Sequence, residues 1–180
     1  MCIRLLLTHL GFKIDFIRWV MSCISIVSFY VLINGVSSPF FHSERGLREG
    51  CPLSPLLFLL VAEGLRQSIK EAKRIGSFKG IQISPDLHIT HLLFVDDVLI
   101  FGSGTTRESN TLKDILDLFS IATGMEINCQ KSTISSNRLN EGEIQTLVRV
   151  FPYTHLPLEE GLKYLGFNLK PNDYQKQDWK

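Results

Sequence analysis

The chain has 180 residues, of which 44% are hydrophobic and 21% charged, so it can bury a core and is not expected to be disordered. Its 19 basic and 18 acidic side chains leave a net charge of +1. This balance excludes a strong overall attraction to nucleic acid or to a membrane surface, and any polyanion must be bound by local clusters.

The four cysteines are far apart, at Cys2, Cys23, Cys51 and Cys129, with no Cys-x-x-Cys pair. This spacing predicts no zinc site and indicates reduced, intracellular thiols. Residues 19–33 carry no charge, but the stretch is shorter than the ~20 residues that a membrane-spanning helix needs, so we expect no membrane partner. We recognise no targeting signal at the start of the sequence.

The first part of the chain predicts a helix followed by a hairpin. Apolar residues from Phe12 to Cys23 recur at helical spacing, and a β-rich stretch then leads into Asn34-Gly35, a strong hairpin signal. A return strand is expected through Phe40 and Phe41. The Gly and Pro residues of 43–55 predict a loop, and Pro55 can begin a helix.

That helix is predicted from Pro55 to about Arg74. We expect its first half to be buried and its second half, which is amphipathic and basic, to meet solvent. The basic residues of the second half are Arg66, Lys70, Lys73 and Arg74. A short strand is predicted at Ile81–Ser84.

Two adjacent carboxylates, Asp96 and Asp97, interrupt the apolar run from His91 to Phe101. The flanks predict two buried strands joined by a tight turn that carries both charges. Close carboxylates that lose hydration repel each other, so a pair of divalent cations is the obvious partner. A surface turn also tolerates Asp, but a purely structural two-residue turn would prefer Gly or Asn.

The remaining chain mixes helices and strands. Glu108 in the first turn and Gly124 past the end predict a helix over Thr106–Thr123, and Asn140 with Glu143 begins another that Pro152 stops. Short strands are expected at 125–128 and 132–135 around Lys131, and a last strand at 162–169. The fold class is therefore α+β, with an antiparallel sheet covered by helices on one face.

Four segments in fixed order carry a family resemblance: RGLREGCPLSPLLF at 45–58, FVDD at 94–97, GMEINCQKS at 124–132 and YLG at 164–166. Together they resemble the reverse transcriptases of LINE-type retrotransposons, which lack long terminal repeats, and most closely those of plants. The resemblance implies a polymerase palm with part of the fingers. Residues 1–180 would form a single partial domain, in which 160–180 begin the connection to the thumb.

The resemblance also implies roles for particular residues in RNA-templated DNA synthesis. Asp96 and Asp97 would bind two metal ions, Mg²⁺ or Mn²⁺, and Lys131 would lie near the triphosphate and protonate pyrophosphate. The implied partners are an RNA template, a DNA primer and deoxynucleoside triphosphates. The implied template- and nucleotide-binding residues are Arg45, Gly46, Arg48, Glu49, Gly50, Pro52, Ser54, Phe94 and Val95, and the implied primer grip is Tyr164, Leu165 and Gly166.

Interpretations without a catalytic or binding role remain open for some of these residues. Arg45, Arg48 and Lys131 could be solvated charges, and residues 164–166 an ordinary strand with a glycine bulge. Position 49 is Glu where the family usually has Gln, so a carboxylate would face phosphates.

The resemblance implies that the family's first catalytic Asp lies in a strand upstream of the helix that contains Leu10-Gly-Phe12, and this chain begins at that helix; Asp15 does not match that motif. We therefore expect a partial copy that is inactive alone. It would be intracellular, and nuclear if it acts as a retrotransposon enzyme. A non-catalytic nucleic-acid-binding remnant is the main alternative, and the four ordered motifs count against an unrelated metal hydrolase.

Overall fold

The computed structural model describes residues 2–26, 28–42, 46–47, 50–137, 139–172 and 174. The helices are α1 (Cys2–His9), α2 (Ile14–Ser25), α3 (Ser54–Arg74), α4 (Thr106–Thr123) and α5 (Glu141–Val150), with a short 3₁₀ helix at Leu158–Glu160. The strands are β1 (Ser28–Phe29), β2 (Leu32–Ile33), β3 (Val36–Ser37), β4 (Phe41–His42), β5 (Ile81–Ser84), β6 (Leu87–Ile89), β7 (His91–Phe94), β8 (Asp97–Ile100), β9 (Thr133–Ser136), β10 (Thr154–Pro157), β11 (Leu162–Tyr164) and β12 (Phe167–Leu169).

The chain divides into two compact units. The first contains Met1–Gly64 and Ile121–Met125, and the second contains Leu65–Ser120 and Glu126–Lys180. Each unit has its own hydrophobic core, and none of the described helices is both long and apolar enough to cross a membrane.

In the first unit, the predicted helix and hairpin are confirmed. Helix α2 buries Ile17 and Val20 in a core with Leu7 and Leu57. The turn Asn34-Gly35 joins β2 to β3, with both residues at positive φ, 52° and 84°. The expected return strand is β4, which pairs with β1 in antiparallel register.

Helix α3 buries one stripe of side chains along its whole length. The basic residues of its second half meet solvent, as predicted, but the expectation of a buried first half was wrong. The buried side chains are Leu57, Val61, Leu65, Ile69 and Ala72. They recur every three or four residues and so form one stripe, as expected of an amphipathic helix. Within the apolar first half, Leu56 is 60% and Leu59 55% exposed because they face away from that stripe.

In the second unit, a core of Leu65, Ile69, Ala72 and Phe78 packs against apolar side chains of α4. Helix α4 has the predicted bounds, and Gly124 follows it with φ +74°. Helix α5 begins at the predicted capping box, in which the side chain of Asn140 accepts from the Glu143 N–H and the Glu143 carboxylate accepts from the Asn140 N–H.

The expected antiparallel sheet is not one continuous sheet among the described residues. Their strands form six two-stranded ladders, five of them antiparallel. The exception is β9 with β10, which run parallel because α5 connects them, and a crossover helix returns the chain in the same direction.

Two predicted strands differ from the structure. Residues 125–128 form no strand but an irregular segment before the turn at 129–131. The predicted last strand, 162–169, is a hairpin of β11 and β12 around Leu165-Gly166. Leu165 takes φ 52° and Gly166 φ 83°, which turns the chain back on itself.

Candidate active site

The carboxylates Asp96 and Asp97 lie at the tip of the β7–β8 hairpin, as predicted. The ladder pairs Phe94 with Asp97, so Val95 and Asp96 form a two-residue turn. The hairpin is closed at its base, where the Phe101 N–H donates to the carbonyl of Thr90 at 2.9 Å. The paired strands therefore hold the backbone of Asp97, and the turn holds that of Asp96.

The strands flanking these carboxylates are much more exposed than predicted. Leu92 is 45%, Phe94 56% and Val98 41% exposed, and both carboxylates are exposed as well. Among the described residues, β7 and β8 pair only with each other. In that part of the chain the outer edges of this ladder are unpaired, and neither hydrophobic core includes Leu92, Phe94 or Val98, so these side chains remain in contact with solvent.

The turn is strained at Val95, which has φ +50°. A β-branched side chain rarely adopts this conformation, and such a residue costs about 1–3 kcal/mol. A turn residue selected for geometry alone would be Gly or Asn. The observed backbone therefore agrees with the interpretation that the sequence of this turn serves another purpose.

The donor set at the tip suits a hard divalent cation. Carboxylate oxygens are the ligands that Mg²⁺ and Mn²⁺ prefer. No hydrogen bond or ion pair within the described residues engages the carboxylates of Asp96 and Asp97, and that part of the chain holds no cluster of three or more possible ligands. Among the described residues, the tip thus offers a cation two adjacent carboxylates and not a complete set of ligands.

Lys131 lies in the turn at residues 129–131, in the same unit as the carboxylates. Its N–H donates at 3.1 Å to both the carbonyl and the side-chain oxygen of Asn128, which fixes the backbone of the turn. The side chain is exposed, and no ion pair found in the described residues joins it to Asp96 or Asp97.

Tyr153 shows what surrounds the turn that carries Lys131. Burial raises the pKa of Tyr153, and the neighbouring Cys129 and Asp117 raise it further, while Lys113 opposes them. Cys129 is the first residue of the turn, and Lys113 and Asp117 form an ion pair on α4. The partly buried Tyr153 thus lies near both this turn and α4, while residues 129–131 themselves are exposed.

The loop with the implied template- and nucleotide-binding residues belongs to the first unit. Arg45, Arg48 and Glu49 lie outside the described residues. Pro52 is exposed, and Ser54 begins α3. Gly46 and Gly50 are exposed with φ +85° and +72°, and, apart from the chain neighbours, no atom of the described residues lies within 4 Å of where a Cβ would stand. Glycine is needed here for its backbone conformation.

The implied primer-grip residues form the β11–β12 turn. Tyr164 pairs with Phe167 across the ladder, and Leu165 and Gly166 occupy the two turn positions. Leu165 is 39% exposed. Residues 162–169 therefore form a hairpin, and the alternative interpretation of a single strand with a glycine bulge was wrong.

Glu108, which the sequence analysis used only as a helix-start signal, is a buried structural residue. Its carboxylate is buried and accepts three hydrogen bonds at 2.6 Å, from the Lys79 N–H, the Ser103 N–H and the Ser103 hydroxyl. These bonds tie the start of α4 to the segment after α3. The pattern Thr105-x-x-Glu108 is a capping-box signal, and it could have marked this glutamate.

Comparison with known proteins identifies the family. The model of the family "Reverse transcriptase (RNA-dependent DNA polymerase)" matches residues 7–169. An uncharacterised mitochondrial protein of Arabidopsis thaliana is 44% identical over 72 residues, which cover 38% of this chain and 59% of that protein.

Two retrotransposon proteins are also similar. The retrovirus-related Pol polyprotein from the type-1 element R2 of Popillia japonica is 30% identical over 150 residues, or 76% of this chain and 20% of the polyprotein. The corresponding polyprotein from the type-2 element R2DM of Drosophila melanogaster is 33% identical over 98 residues, or 54% of this chain and 8% of the polyprotein. The chain thus spans less than two thirds of each of these relatives. Because the family match covers most of the 180 residues, the chain belongs to the reverse transcriptase family.

Proposed function

We propose that this chain is the palm, with part of the fingers, of a retrotransposon RNA-directed DNA polymerase. In this proposal residues 1–180 form one partial domain, whose last twenty residues lead toward a thumb. The observation that carries the proposal is the pair of exposed carboxylates, Asp96 and Asp97, on a strained hairpin turn within the matched family region. The substrates would be deoxynucleoside triphosphates, a DNA primer and an RNA template.

Asp96 and Asp97 would hold the divalent cations, Mg²⁺ or Mn²⁺, that the family uses. When bound, two such cations activate the primer 3′-hydroxyl and stabilise the charge on the leaving pyrophosphate. The β7–β8 ladder contributes rigidity, because pairing with Phe94 fixes the backbone that carries Asp97. The strain at Val95 is then the cost of presenting both carboxylates at the tip.

Other residues would position the substrates. Lys131 would donate a proton to the departing pyrophosphate from its exposed turn. Arg45 and Arg48 would pair with phosphates, and the open backbone at Gly46 and Gly50 would allow close approach of the template or nucleotide. The remaining proposed contacts are Glu49, Pro52, Ser54, Phe94 and Val95 for template and nucleotide, and Tyr164, Leu165 and Gly166 for the primer.

The experiment is primer extension on an RNA template, with two polypeptides compared. The 180-residue chain alone should not extend the primer, because two adjacent carboxylates cannot fix two cations in line with primer and triphosphate. A longer polypeptide that adds the family's upstream Asp strand and a thumb should extend it in the presence of magnesium. Asp96→Asn and Asp97→Asn should each abolish that activity.

Asp86→Asn is the matched control, because Asp86 is an exposed aspartate at the turn between β5 and β6 of the same unit. It should leave extension unchanged. If the longer polypeptide folds and binds template–primer but never extends it, the proposal fails. The chain is then a non-catalytic nucleic-acid-binding remnant of the same fold.

A further inference from the structure

The end of α3 and the segment after it carry basic residues that the proposed reaction does not use. Lys70, Lys73, Arg74 and Lys79 are all exposed, and Glu71 is the one acidic residue between 70 and 79. This short segment therefore has a net charge of +3 in a chain whose net charge is +1. We call Lys70, Lys73, Arg74 and Lys79 the α3 basic surface.

The packing of α3 turns this surface toward solvent. Leu65, Ile69 and Ala72 are buried in the core of the second unit together with Phe78. Because these three residues occupy one stripe of the helix, the neighbouring Lys70, Lys73 and Arg74 lie on its other faces. The backbone that carries the basic residues is thus anchored by residues buried in the core.

Hydrogen bonds further fix the backbone and one side chain of the α3 basic surface. The Lys73 ammonium donates to the carbonyl of His88 at 2.8 Å. After the helix, the Ser77 and Phe78 N–H groups both donate hydrogen bonds to the carbonyl of Ala72, at 3.0 and 3.1 Å. The Lys79 N–H is held by Glu108 at 2.6 Å. A ligand would therefore meet these charges on an ordered backbone, which lowers the entropic cost of binding.

Stabilisation of the helix end explains only part of this cluster. Cations in the last turn interact favourably with the helix dipole, which accounts for Lys73 and Arg74. Arg74 is also neutralised by Glu71, through two hydrogen bonds of 2.6 and 2.7 Å. Lys70 precedes the last turn, and Lys79 lies beyond the helix. Within the described residues, neither of these two lysines nor Lys73 forms an ion pair of 4 Å or less with a carboxylate, although the charge of Lys79 helps to lower the pKa of Glu108.

We propose that the α3 basic surface binds the phosphodiester backbone of a nucleic-acid duplex, as a contact in addition to the Asp96–Asp97 hairpin. Lys70 and Lys73 lie within one turn of α3, so both charges can contact the phosphates of one short stretch of strand. Lysine acts as a point charge suited to phosphates rather than to base edges, so the contact should not depend on sequence. The choice of nucleic acid rests on the membership of the chain in the reverse transcriptase family, not on catalysis at the hairpin.

The test measures binding of the full 180-residue chain to a short RNA–DNA hybrid as a function of salt. Lys70→Gln combined with Lys79→Gln removes two charges without removing a side-chain hydrogen bond of the described residues. The slope of log Kobs against log salt should become shallower by about 1.4–1.8, given about 0.7–0.9 per phosphate contact. The ratio of affinities at 50 and 200 mM salt should shrink by about tenfold.

Two further variants make the result specific. Lys70→Arg with Lys79→Arg keeps both charges and should retain the wild-type slope. Arg4→Gln with Lys13→Gln removes two exposed charges from the first unit and should also leave the slope unchanged. Circular dichroism melts check that all variants fold like the wild-type chain.

A wild-type slope for the Lys70→Gln/Lys79→Gln variant would overturn the proposal, as would an equal loss in the Arg4→Gln/Lys13→Gln variant. Binding that depends on these lysines but occurs only on vesicles with an anionic phospholipid would also overturn it and would assign the surface to membranes. Because the readout is binding, a lack of primer extension leaves this result unaffected.

Discussion

Replacing Glu108 by Ala should destabilise the second unit more than any other single loss of an acidic side chain among the described residues. Glu108 is 5% exposed, and its carboxylate accepts three hydrogen bonds of 2.6 Å from Lys79 and Ser103. Hydrogen bonds to a charged group contribute about 1.5–3 kcal/mol each, but bonds to one carboxylate are not additive. Lys79 and Ser103 are exposed, so water can replace part of the loss.

We therefore expect Glu108→Ala to lower the free energy of unfolding by about 3 kcal/mol. For a chain of this size, that corresponds to a fall in Tm of about 6–12 °C. Glu108→Gln keeps an acceptor but loses the charge and should fall between Ala and wild type. Glu126→Ala removes an exposed glutamate and should change stability by less than about 0.5 kcal/mol. Urea unfolding with an unchanged m-value provides the measurement.

The pH dependence gives a second check on the same residue. Burial raises the pKa of Glu108, but the hydrogen bonds from Ser103 and Lys79 outweigh it, so the pKa lies below its ordinary value. A lowered pKa means that the stabilisation is present above the ordinary glutamate pKa and is lost as the pH falls through the folded-state value. The stability gap between wild type and Glu108→Gln should therefore narrow in acid. A loss of under about 0.5 kcal/mol for Glu108→Ala, or a gap that stays constant in acid, would refute this reasoning.

Three further predictions concern a glycine, the exposed hairpin and the loop before α3. Gly80→Ala should lower the free energy of unfolding by about 3 kcal/mol or more, because a Cβ at φ +77° would strike the carbonyl of Ile89. Gly76→Ala, at φ +73° but with open space around the Cβ, should lower it by only about 1 kcal/mol. Equal losses of stability in thermal melts would contradict this. The isolated chain should self-associate through the unpaired edges and exposed apolar residues of β7–β8. Leu92→Lys should therefore reduce light scattering more than the control Ile121→Lys does. A wild-type chain that is a monodisperse monomer and melts cooperatively would contradict this prediction. Glu49→Gln should raise primer extension by the longer polypeptide, since it removes a negative charge that the family resemblance puts near the triphosphate; unchanged or lower activity would exclude such repulsion.

The elements that the sequence predicted best are those with local signals. Helix α4 has the predicted bounds because Glu108 and Gly124 mark its two ends, and α5 begins at Asn140 because its capping box needs only two residues. The hairpin with Asp96 and Asp97 was also located correctly from its apolar flanks and turn. Each of these signals involves residues within a few positions of one another.

The features that sequence reasoning missed depend on distant partners. The exposure of Leu92 and Phe94 is set by what packs against the face of the β7–β8 ladder that carries them, which the residues of the hairpin do not encode. Similarly, the apolar run at the start of α3 predicted full burial, but Leu56 and Leu59 face away from the stripe that packs. The β11–β12 turn was not predicted from local preferences because it places Leu165 at a positive φ, which leucine seldom adopts.

The most direct test of the proposed catalytic role compares single-turnover primer extension by Asp96→Asn and Asp86→Asn in the longer polypeptide. Both variants lose one exposed carboxylate from a hairpin turn in the same unit. If Asp96 is a metal ligand, its loss acts on the transition state. The rate of Asp96→Asn should then fall by on the order of a thousandfold, about 4 kcal/mol, while that of Asp86→Asn stays at the wild-type value. Equal extension rates for the two variants, with both folded, would contradict the assignment of Asp96 and Asp97 as the catalytic pair.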